Sequence, residues 1–187
     1  MLLTSSTEEI IPVFQQGGLF AYPTEAVYGI GCDPENEAAV TRLLALKQRP
    51  LNKGLILVAA DISQVTNYLK LQPGTRRLLL APSDTTYVFP ASKQTPVWLT
   101  GDFDTLAVRI SKHPLVHELC LVLESAIVST SANMTGQPPA MDFDAVQQLA
   151  RQLPETDTFD AILKGETMGQ QKPSRIVDAI SGTILRA

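Results

Sequence analysis

Residues 54–60 read GLILVAA, a continuous apolar run of strand length. A strand with one face in water alternates apolar and polar residues, because successive side chains point to opposite faces. An unbroken apolar run of this length therefore predicts a strand that is buried on both faces. Such a strand lies in the interior of a sheet, so the run favours an α/β fold with a mostly buried sheet.

Strands and helices are predicted to alternate on both sides of this run. The predicted strands cover residues 19–22, 86–89, 105–110, 126–129, 176–178 and 183–185. The predicted helices cover residues 7–16, with a capping box at Ser6-Thr7-Glu8-Glu9 and a stop at Gly17-Gly18, residues 33–47 and 61–69, with Asp33 and Asp61 as N-caps, residues 114–123, and residues 143–153, with Asp142 as the N-cap. Because the alternation has no repeats and no linker, it predicts a single α/β domain over residues 1–187.

The composition excludes several classes of protein. The chain has 187 residues, of which 44% are hydrophobic and 18% charged, so it can form a core and has too few charges for a disordered chain. It has no mostly apolar run of the about 20 residues that a transmembrane helix needs. The first basic residue is Arg42, so the basic part of a secretory signal is missing, and Cys32 and Cys120 form no CxxC motif. These features predict a cytoplasmic protein that is not bound to a membrane.

A group of basic side chains lies in residues 42–53, in a chain whose net charge is −4. The group consists of Arg42, Lys47, Arg49 and Lys53, with no acidic residue among them. A solvated charged surface is one interpretation. An anion site is the other, because Arg binds a carboxylate or phosphate through two hydrogen bonds and Lys adds a compact charge.

The polar run Ser129-Thr130-Ser131-Ala132-Asn133 follows the predicted strand at residues 126–129. A polar turn is one interpretation, since Ser and Asn favour turns. The other is a ligand site, because hydroxyl, amide and backbone N–H groups at the carboxyl end of a strand can hold phosphate or carboxylate oxygens. The residues alone leave both interpretations open.

Familiar nucleotide, hydrolase and metal motifs are missing. The sequence has no GxxxxGK[ST] and no GxSxG motif, and Gly29-Ile30-Gly31 does not continue to GxGxxG. His113 and His117 have the spacing of helical metal ligands, but Pro114 places His113 before the helix and no third ligand is indicated. A surface or capping role is therefore favoured for these histidines, and no metal ligand is predicted.

Five motifs, in order along the chain, carry a resemblance to a known family. They are Tyr22-Pro23-Thr24-Glu25-Ala26-Val27-Tyr28-Gly29, Lys47-x-Arg49-Pro50, Ala107-Val108-Arg109, Ser129-Thr130-Ser131-Ala132-Asn133 and Pro173-Ser174-x-Ile176-x-Asp178. With these motifs the chain resembles the YrdC/TsaC family of threonylcarbamoyl-AMP synthases, in its short bacterial form. One segment departs from the family pattern. The family usually has Trp-Pro-Gly-Pro-x-Thr here, whereas residues 81–86 of this chain read APSDTT and keep only the first proline and the final threonine.

The resemblance implies a YrdC-like twisted, open, mixed sheet flanked by helices, with a concave basic cavity. It also implies a nucleotidyltransferase, in which L-threonine and bicarbonate form a carbamate whose oxygen attacks the α-phosphorus of ATP. The products are threonylcarbamoyl-AMP and pyrophosphate, and a transferase partner protein uses the former to make threonylcarbamoyladenosine (t6A) in tRNA. ATP is thus a substrate, and we expect a Mg²⁺ held through its phosphates and weak binding of tRNA or double-stranded RNA.

The resemblance also assigns roles to individual residues. Lys47 and Arg49 are the implied catalytic residues, and Lys47 adds positive charge to the cavity. The implied ATP-binding residues are Arg49, Lys53, Thr105, Ser129, Ser131, Asn133 and Arg186. The implied threonine-binding residues are Thr24, Arg109 and Ser174. Such a set suits displacement at phosphorus, which needs alignment and charge neutralisation more than a protein nucleophile.

Two alternatives stay open. An RNA-binding or ribosome-maturation factor of the same fold would use the basic cavity without synthase activity, and a diverged nucleotide-binding paralogue would make another product. The altered segment at residues 81–86 bears on both. If it lines the cavity, Asp84 repels ATP unless it pairs with Arg76, Arg77 or Lys93 or shares a Mg²⁺, and we expect a working but slower synthase with a raised KM for ATP. If the loop has moved outward, Asp84 is solvated.

Overall fold

All strands described by the structure form one sheet. The structure is a computed structural model, and it describes residues 1–154 and 158–187. The strands are β1 Leu2–Thr4, β2 Phe20–Pro23, β3 Tyr28–Cys32, β4 Ile56–Ala59, β5 Thr85–Pro90, β6 Thr105–Ile110, β7 Ile127–Ser131, β8 Ala161–Leu163, β9 Arg175–Asp178 and β10 Ile184–Arg186. Their order across the sheet is β1-β8-β2-β3-β7-β4-β6-β5-β9-β10.

Short helices connect these strands. The α-helices are α1 Ile11–Gln15, α2 Glu37–Leu46, α3 Val97–Thr100, α4 Pro114–Val122 and α5 Phe143–Gln152. The 3-10 helices are Glu8–Ile10, Ile62–Gln64, Thr66–Tyr68 and Arg76–Leu79. Among the described residues, no helix combines the length and the apolar character that crossing a membrane requires.

The sheet is mixed and open, as the family resemblance implies. Parallel pairs are β1 with β8, β2 with β8, β4 with β6, and β5 with β9. Antiparallel pairs are β2 with β3, β3 with β7, β4 with β7, β5 with β6, and β9 with β10. The predicted α/β class is therefore confirmed.

Strand β4 lies in the interior of the sheet with both faces covered. Leu57 and Ala59 pack into the apolar core on one face, together with residues of α2 and α5. Val58 and Ala60 pack into the core on the other face, together with residues of α1 and α4. The prediction from the GLILVAA run is confirmed, because alternate side chains of one strand supply both cores.

Two predicted helices are shorter and tighter than expected. The capping box at residues 6–9 is wrong, because the N-cap position is Thr7 and its side chain accepts no hydrogen bond from the backbone N–H groups of the turn; its hydroxyl donates to Glu118 Oε1 at 2.6 Å instead. A tertiary contact has replaced the local one, and residues 8–10 form a 3-10 helix ahead of α1. Asp61 does cap, accepting from the Ser63 N–H at 2.6 Å, but two 3-10 turns follow it instead of one helix.

Helix α2 begins later than predicted. Its N-cap is Asn36, whose Oδ1 accepts from the Ala39 N–H at 3.0 Å. The carboxylate of Asp33 accepts from the Glu35 N–H at 2.9 Å and thereby closes a turn just before the helix. Asp33 is therefore a turn residue, and its prediction as an N-cap is wrong. The N-cap predicted at Asp142 is confirmed by its bond to the Ala145 N–H at 2.8 Å.

Strand β3 was not predicted, because its sequence contains two glycines and glycine weakens a strand. The structure gives Gly31 a steric reason. A Cβ at this position would lie 2.6 Å from the carbonyl oxygen of Val128 on the paired strand β7. The short elements β1, β8 and α3 were missed as well, since three or four residues are too few for a periodic signal.

Candidate active site

A cavity of about 350 Å³ opens on the central strands of the sheet. Its walls come from the turn between β2 and β3, the loop after α2, strands β4 to β7, and the C-terminal segment. Seven of the predicted site residues line it: Thr24, Arg49, Arg109, Ser129, Ser131, Ser174 and Arg186. The structure thus brings residues predicted for ATP and residues predicted for threonine into one cavity.

Arg49 reaches the cavity because the chain turns sharply after α2. Gln48 has a left-handed backbone with φ of 48°, and the Arg49 N–H then donates to the Leu44 carbonyl at 2.9 Å. The guanidinium of Arg49 donates through Nη2 to the Gly54 carbonyl at 2.7 Å, while its Nε has no partner among the described residues. Burial lowers the pKa of Arg49 below its usual value. An anion in the cavity would relieve this cost and satisfy the free donors.

Glu25 and Arg109 form a buried ion pair on the cavity wall. Glu25 Oε2 accepts from Arg109 Nη1 at 2.6 Å, and its Oε1 accepts from Ser111 Oγ at 2.7 Å and from the Lys112 N–H at 2.9 Å. Burial alone would raise the pKa of Glu25, but the Arg109 charge and these hydrogen bonds outweigh it and hold the pKa below its usual value. Arg109 Nε has no partner in the described part of the chain. Glu25 therefore fixes Arg109 while leaving it donors for a ligand.

The C-terminal wall of the cavity is held together by hydrogen bonds to Ser174. Arg186 Nη2 donates to the Ser174 carbonyl at 2.7 Å, and the hydroxyls of Ser174 and Thr86 are hydrogen-bonded at 2.8 Å. Arg186 is exposed overall, but partial desolvation lowers its pKa, and Arg109 adds to this effect through charge repulsion. Thr86 lines the cavity but was not among the predicted site residues. The signal was present, because Thr86 is the threonine that the altered segment at residues 81–86 retains.

Four predicted site residues lie outside the cavity lining. Lys47 is buried and donates to the carbonyls of Ser131 and Asn133 and to Asn133 Oδ1, at 2.5–2.6 Å. Lys53 is exposed and Thr105 begins β6, where it pairs with Pro90. Burial, with a smaller effect of Arg49, lowers the pKa of Lys47 to about 8. The roles of Lys47, Lys53, Thr105 and Asn133 stay predictions, as do those of the seven residues that line the cavity.

Asp84 lies outside the cavity lining, and its partner is none of Arg76, Arg77 and Lys93, the residues considered for a position in the cavity. Its carboxylate accepts from Lys112 Nζ at 2.7 Å and from Gln170 Nε2 at 2.9 Å. These two hydrogen bonds lower the pKa of Asp84. Gln170 itself lines the cavity, so Asp84 supports the cavity wall from outside. Lys112 is far from Asp84 in the sequence, which is why local charge patterns did not identify it.

The histidines do not form a metal site in the described residues. His113 lies at the N-cap position of α4, as Pro114 indicates, but it is buried and not on the surface. Its Nε2 is 2.9 Å from the Glu166 carbonyl oxygen. Within residues 1–154 and 158–187, no three His, Cys, Asp or Glu side chains are placed to hold a metal ion.

The fold and the cavity define an α/β protein whose open mixed sheet carries a cavity lined by Arg49, Arg109 and Arg186. The chain belongs to the Sua5/YciO/YrdC family, whose model, described as "Telomere recombination", matches residues 12–187. The family predicted from the five motifs is therefore confirmed.

Individual members of the family are similar over nearly the whole chain. A threonylcarbamoyl-AMP synthase from Klebsiella pneumoniae subsp. pneumoniae is 46% identical, over 99% of this chain and 97% of that protein. A protein of the same name from Stenotrophomonas maltophilia is also 46% identical, over 96% and 97%. The crystal structure of P. abyssi Sua5 complexed with L-threonine is 27% identical with a TM-score of 0.84, over 95% of this chain and 53% of that chain. This chain thus spans about half the length of that Sua5 protein.

Proposed function

We propose that this protein is a threonylcarbamoyl-AMP synthase, a nucleotidyltransferase that uses L-threonine, bicarbonate and ATP. The observation that carries the proposal is that residues predicted for ATP and residues predicted for threonine line the same cavity. Curated relatives that are 45–46% identical over nearly their full length carry this name. A related Sua5 protein, 27% identical, has been crystallised with L-threonine.

The proposed reaction needs alignment and charge neutralisation. The threonine amine and bicarbonate form a carbamate with loss of water, a carbamate oxygen then bonds to the α-phosphorus, and the bond to the pyrophosphate oxygen breaks. Negative charge develops on the phosphoryl oxygens and on the leaving group, where Arg49 and Arg186 would stabilise it. Arg109, fixed by Glu25, would bind the threonine carboxylate. Thr24 and Ser174 would contact the rest of the amino acid.

A Mg²⁺ in this site would be held by phosphate oxygens and water. The described residues offer no group of three metal-binding side chains, and the Glu25 carboxylate already accepts three hydrogen bonds. When bound in this way, the ion would neutralise part of the triphosphate charge. The cationic side chains of the cavity would supply the remaining charge.

Pyrophosphate release tests the proposal directly. We expect wild-type protein to release pyrophosphate only when threonine, bicarbonate and ATP are all present, with each omission as a control. Release without threonine would identify a diverged paralogue with another product. No release under any condition, together with tight RNA binding, would favour the RNA-binding factor and contradict the proposal.

The whole chain, residues 1–187, is proposed to act as one cytoplasmic domain with a t6A transferase as its partner protein. Any tRNA or double-stranded RNA should bind weakly, because the basic residues are few and the net charge is −4. The logarithm of the binding constant should fall linearly with the logarithm of the salt concentration. The slope is about 0.9 per phosphate contact on duplex, so a handful of contacts gives a slope of only a few units. Titrations of tRNA at about 50 mM and about 200 mM salt measure this slope. Tight binding that salt leaves unchanged would contradict the prediction.

Asp84→Asn should change the KM for ATP by less than about threefold, because Lys112 already compensates the Asp84 charge at a half-exposed position. This revises the raised KM expected from the sequence alone. Steady-state kinetics with varied ATP provides the measurement. A clearly lower KM in the variant would show that Asp84 repels ATP, and a lost Mg²⁺ dependence would show that it shares the metal.

A further inference from the structure

The altered segment at residues 81–86 places a carboxylate where the family usually has a proline. That carboxylate is Asp84, which directly precedes β5 and accepts from Lys112 Nζ at 2.7 Å and from Gln170 Nε2 at 2.9 Å. Lys112 follows β6, and Gln170 lies between β8 and β9. Asp84 therefore ties together three segments that are distant in the sequence.

Glu25 holds the same two residues through their backbones. Its Oε1 accepts from the Lys112 N–H at 2.9 Å, and its carbonyl oxygen accepts from the Gln170 N–H at 3.0 Å. Lys112 and Gln170 are thus each held twice, by the backbone at Glu25 and by the side chain at Asp84. These four hydrogen bonds form a closed ring. Because Glu25 also fixes Arg109, the ring lies next to the cation proposed for threonine.

Gln170 belongs to a strap, residues 165–171, that contains no helix or strand. The backbone of the strap is bonded to the turn between β2 and β3. The Met168 N–H donates to the Thr24 carbonyl at 3.3 Å, two residues before Gln170 bonds to Glu25. The strap is therefore attached to the side of the cavity that carries Thr24, a residue proposed for threonine.

The side chain of Gln170 has open space on two sides. It lines the cavity of about 350 Å³ and also a second cavity, of about 490 Å³, which Asp84 and Arg175 line as well. A side chain between two cavities lacks the dense packing that fixes a rotamer in a core. Its position then depends on hydrogen bonds, and within the described part of the chain the Gln170 amide has its bond to Asp84.

The charge of Asp84 decides how the Gln170 amide is turned. The lowered pKa of Asp84 keeps the carboxylate ionised at neutral pH, and an ionised carboxylate only accepts hydrogen bonds. The amide nitrogen of Gln170 must therefore face Asp84, which leaves Oε1 as the acceptor for a ligand. The amino and hydroxyl groups of threonine are donors for such an oxygen, whereas ionised phosphates have no proton to donate.

We propose that Asp84 is a positioning residue that acts through Gln170 on the binding of threonine. The inference rests on the proposed function, which assigns Thr24 and Arg109 to this substrate. Asp84 holds the Gln170 side chain on the same side of the cavity as these two residues. Without Asp84 the side chain can turn into the second cavity, and its acceptor is then lost to threonine.

Separate titrations with L-threonine and with ATP test this role. We expect Asp84→Ala to raise the Kd for threonine by at least about fivefold, as the loss of one positioned hydrogen bond would. The Kd for ATP should stay within about twofold, because Arg49 bonds to Gly54 and not to the strap. A smaller loss for threonine, or a comparable loss for ATP, would overturn the proposal. Asp144→Ala is the matched control, since it removes the same charge from an exposed position on α5, outside the cavity lining, and it should change neither Kd.

A double-mutant cycle tests whether Asp84 acts through Gln170. Gln170→Ala should weaken threonine at least as much as Asp84→Ala does, because it removes the amide itself. Adding Asp84→Ala to Gln170→Ala should then leave the Kd for threonine unchanged. Losses that multiply would overturn the coupling.

Steady-state kinetics separates positioning from a merely structural role. Asp84→Ala should raise the KM for threonine and keep kcat near that of the wild type. A general loosening of the site would instead lower kcat and raise the KM for ATP as well, and this result would contradict the proposal.

The titrations need no turnover. If the wild type binds threonine and ATP but releases no pyrophosphate, the proposed function fails while the role of Asp84 is still decided by the titrations. If pyrophosphate is released and Asp84→Ala binds threonine as the wild type does, only the positioning role fails.

Discussion

Arg49→Ala should lower kcat/KM for pyrophosphate release by at least about 10- to 100-fold and leave the fold intact. A charged hydrogen bond contributes about 1.5–3 kcal/mol, and Arg49 has room for more than one because its Nε has no partner among the described residues. The fold should persist because Arg49 lies in a loop, where its side chain donates only to Gly54 within the described structure. Steady-state kinetics and the melting temperature are the two measurements.

Two further variants define the effect of Arg49. Arg49→Lys should also be impaired, because an ammonium cannot reproduce a bond through two guanidinium nitrogens. Arg77→Ala removes the same charge from an exposed site outside the cavity lining and should leave kcat/KM unchanged. Wild-type turnover of Arg49→Ala would exclude this residue from the site.

Glu25→Ala should destabilise the protein by about 3–5 kcal/mol. The reason is that Arg109, which is 8% exposed, would remain as a buried charge without its partner. Ser111 Oγ and the Lys112 N–H would lose their acceptor in the same substitution. Chemical denaturation at neutral pH measures the free energy of unfolding. A change below about 1 kcal/mol would show that the pair is not desolvated in solution.

The pH dependence of this stability follows from the lowered pKa of Glu25. A carboxylate whose pKa is lower in the folded than in the unfolded state stabilises the fold above its unfolded pKa, near 4.5 here, and this contribution is lost as the pH falls below it. Glu25→Gln has no such titration. The stability difference between wild type and Glu25→Gln should therefore be largest at neutral pH and shrink as the pH falls below about 4.5. A difference that is constant with pH would contradict the assignment.

Elements with a strong local signal could be predicted from the sequence. The apolar run of β4 decides the interior of the sheet, and the caps at Asp61 and Asp142 act within their own turns. Predictions failed where a distant contact replaced a local one. Thr7 bonds to Glu118 instead of capping its turn, and β3 is rich in glycine because β7 passes too close for a side chain at Gly31.

In the site, too, local signals succeeded and distant contacts were missed. The motifs identified seven residues that line one cavity, because each of these residues lies in a recognisable segment of the sequence. They could not place the Lys47 ammonium, which bonds to a loop 84 and 86 positions away in the sequence. Glu25 belongs to the first motif but received no role, because its partner Arg109 lies on another strand. Pairings of this kind depend on the register of the sheet, which the sequence does not state.

The position of β10 at the edge of the sheet gives the cavity walls unequal stability. In the described structure β10 pairs only with β9, and its residues are exposed, whereas β6 is paired on both sides. Segments with few contacts open locally at a much lower free energy than global unfolding. The Arg186 wall can therefore fray and re-form while the Arg109 wall stays closed. A ligand that contacts Arg186 must also order this strand, which lowers the net free energy of binding. Its affinity therefore depends on the conformational entropy that β10 loses as well as on charge.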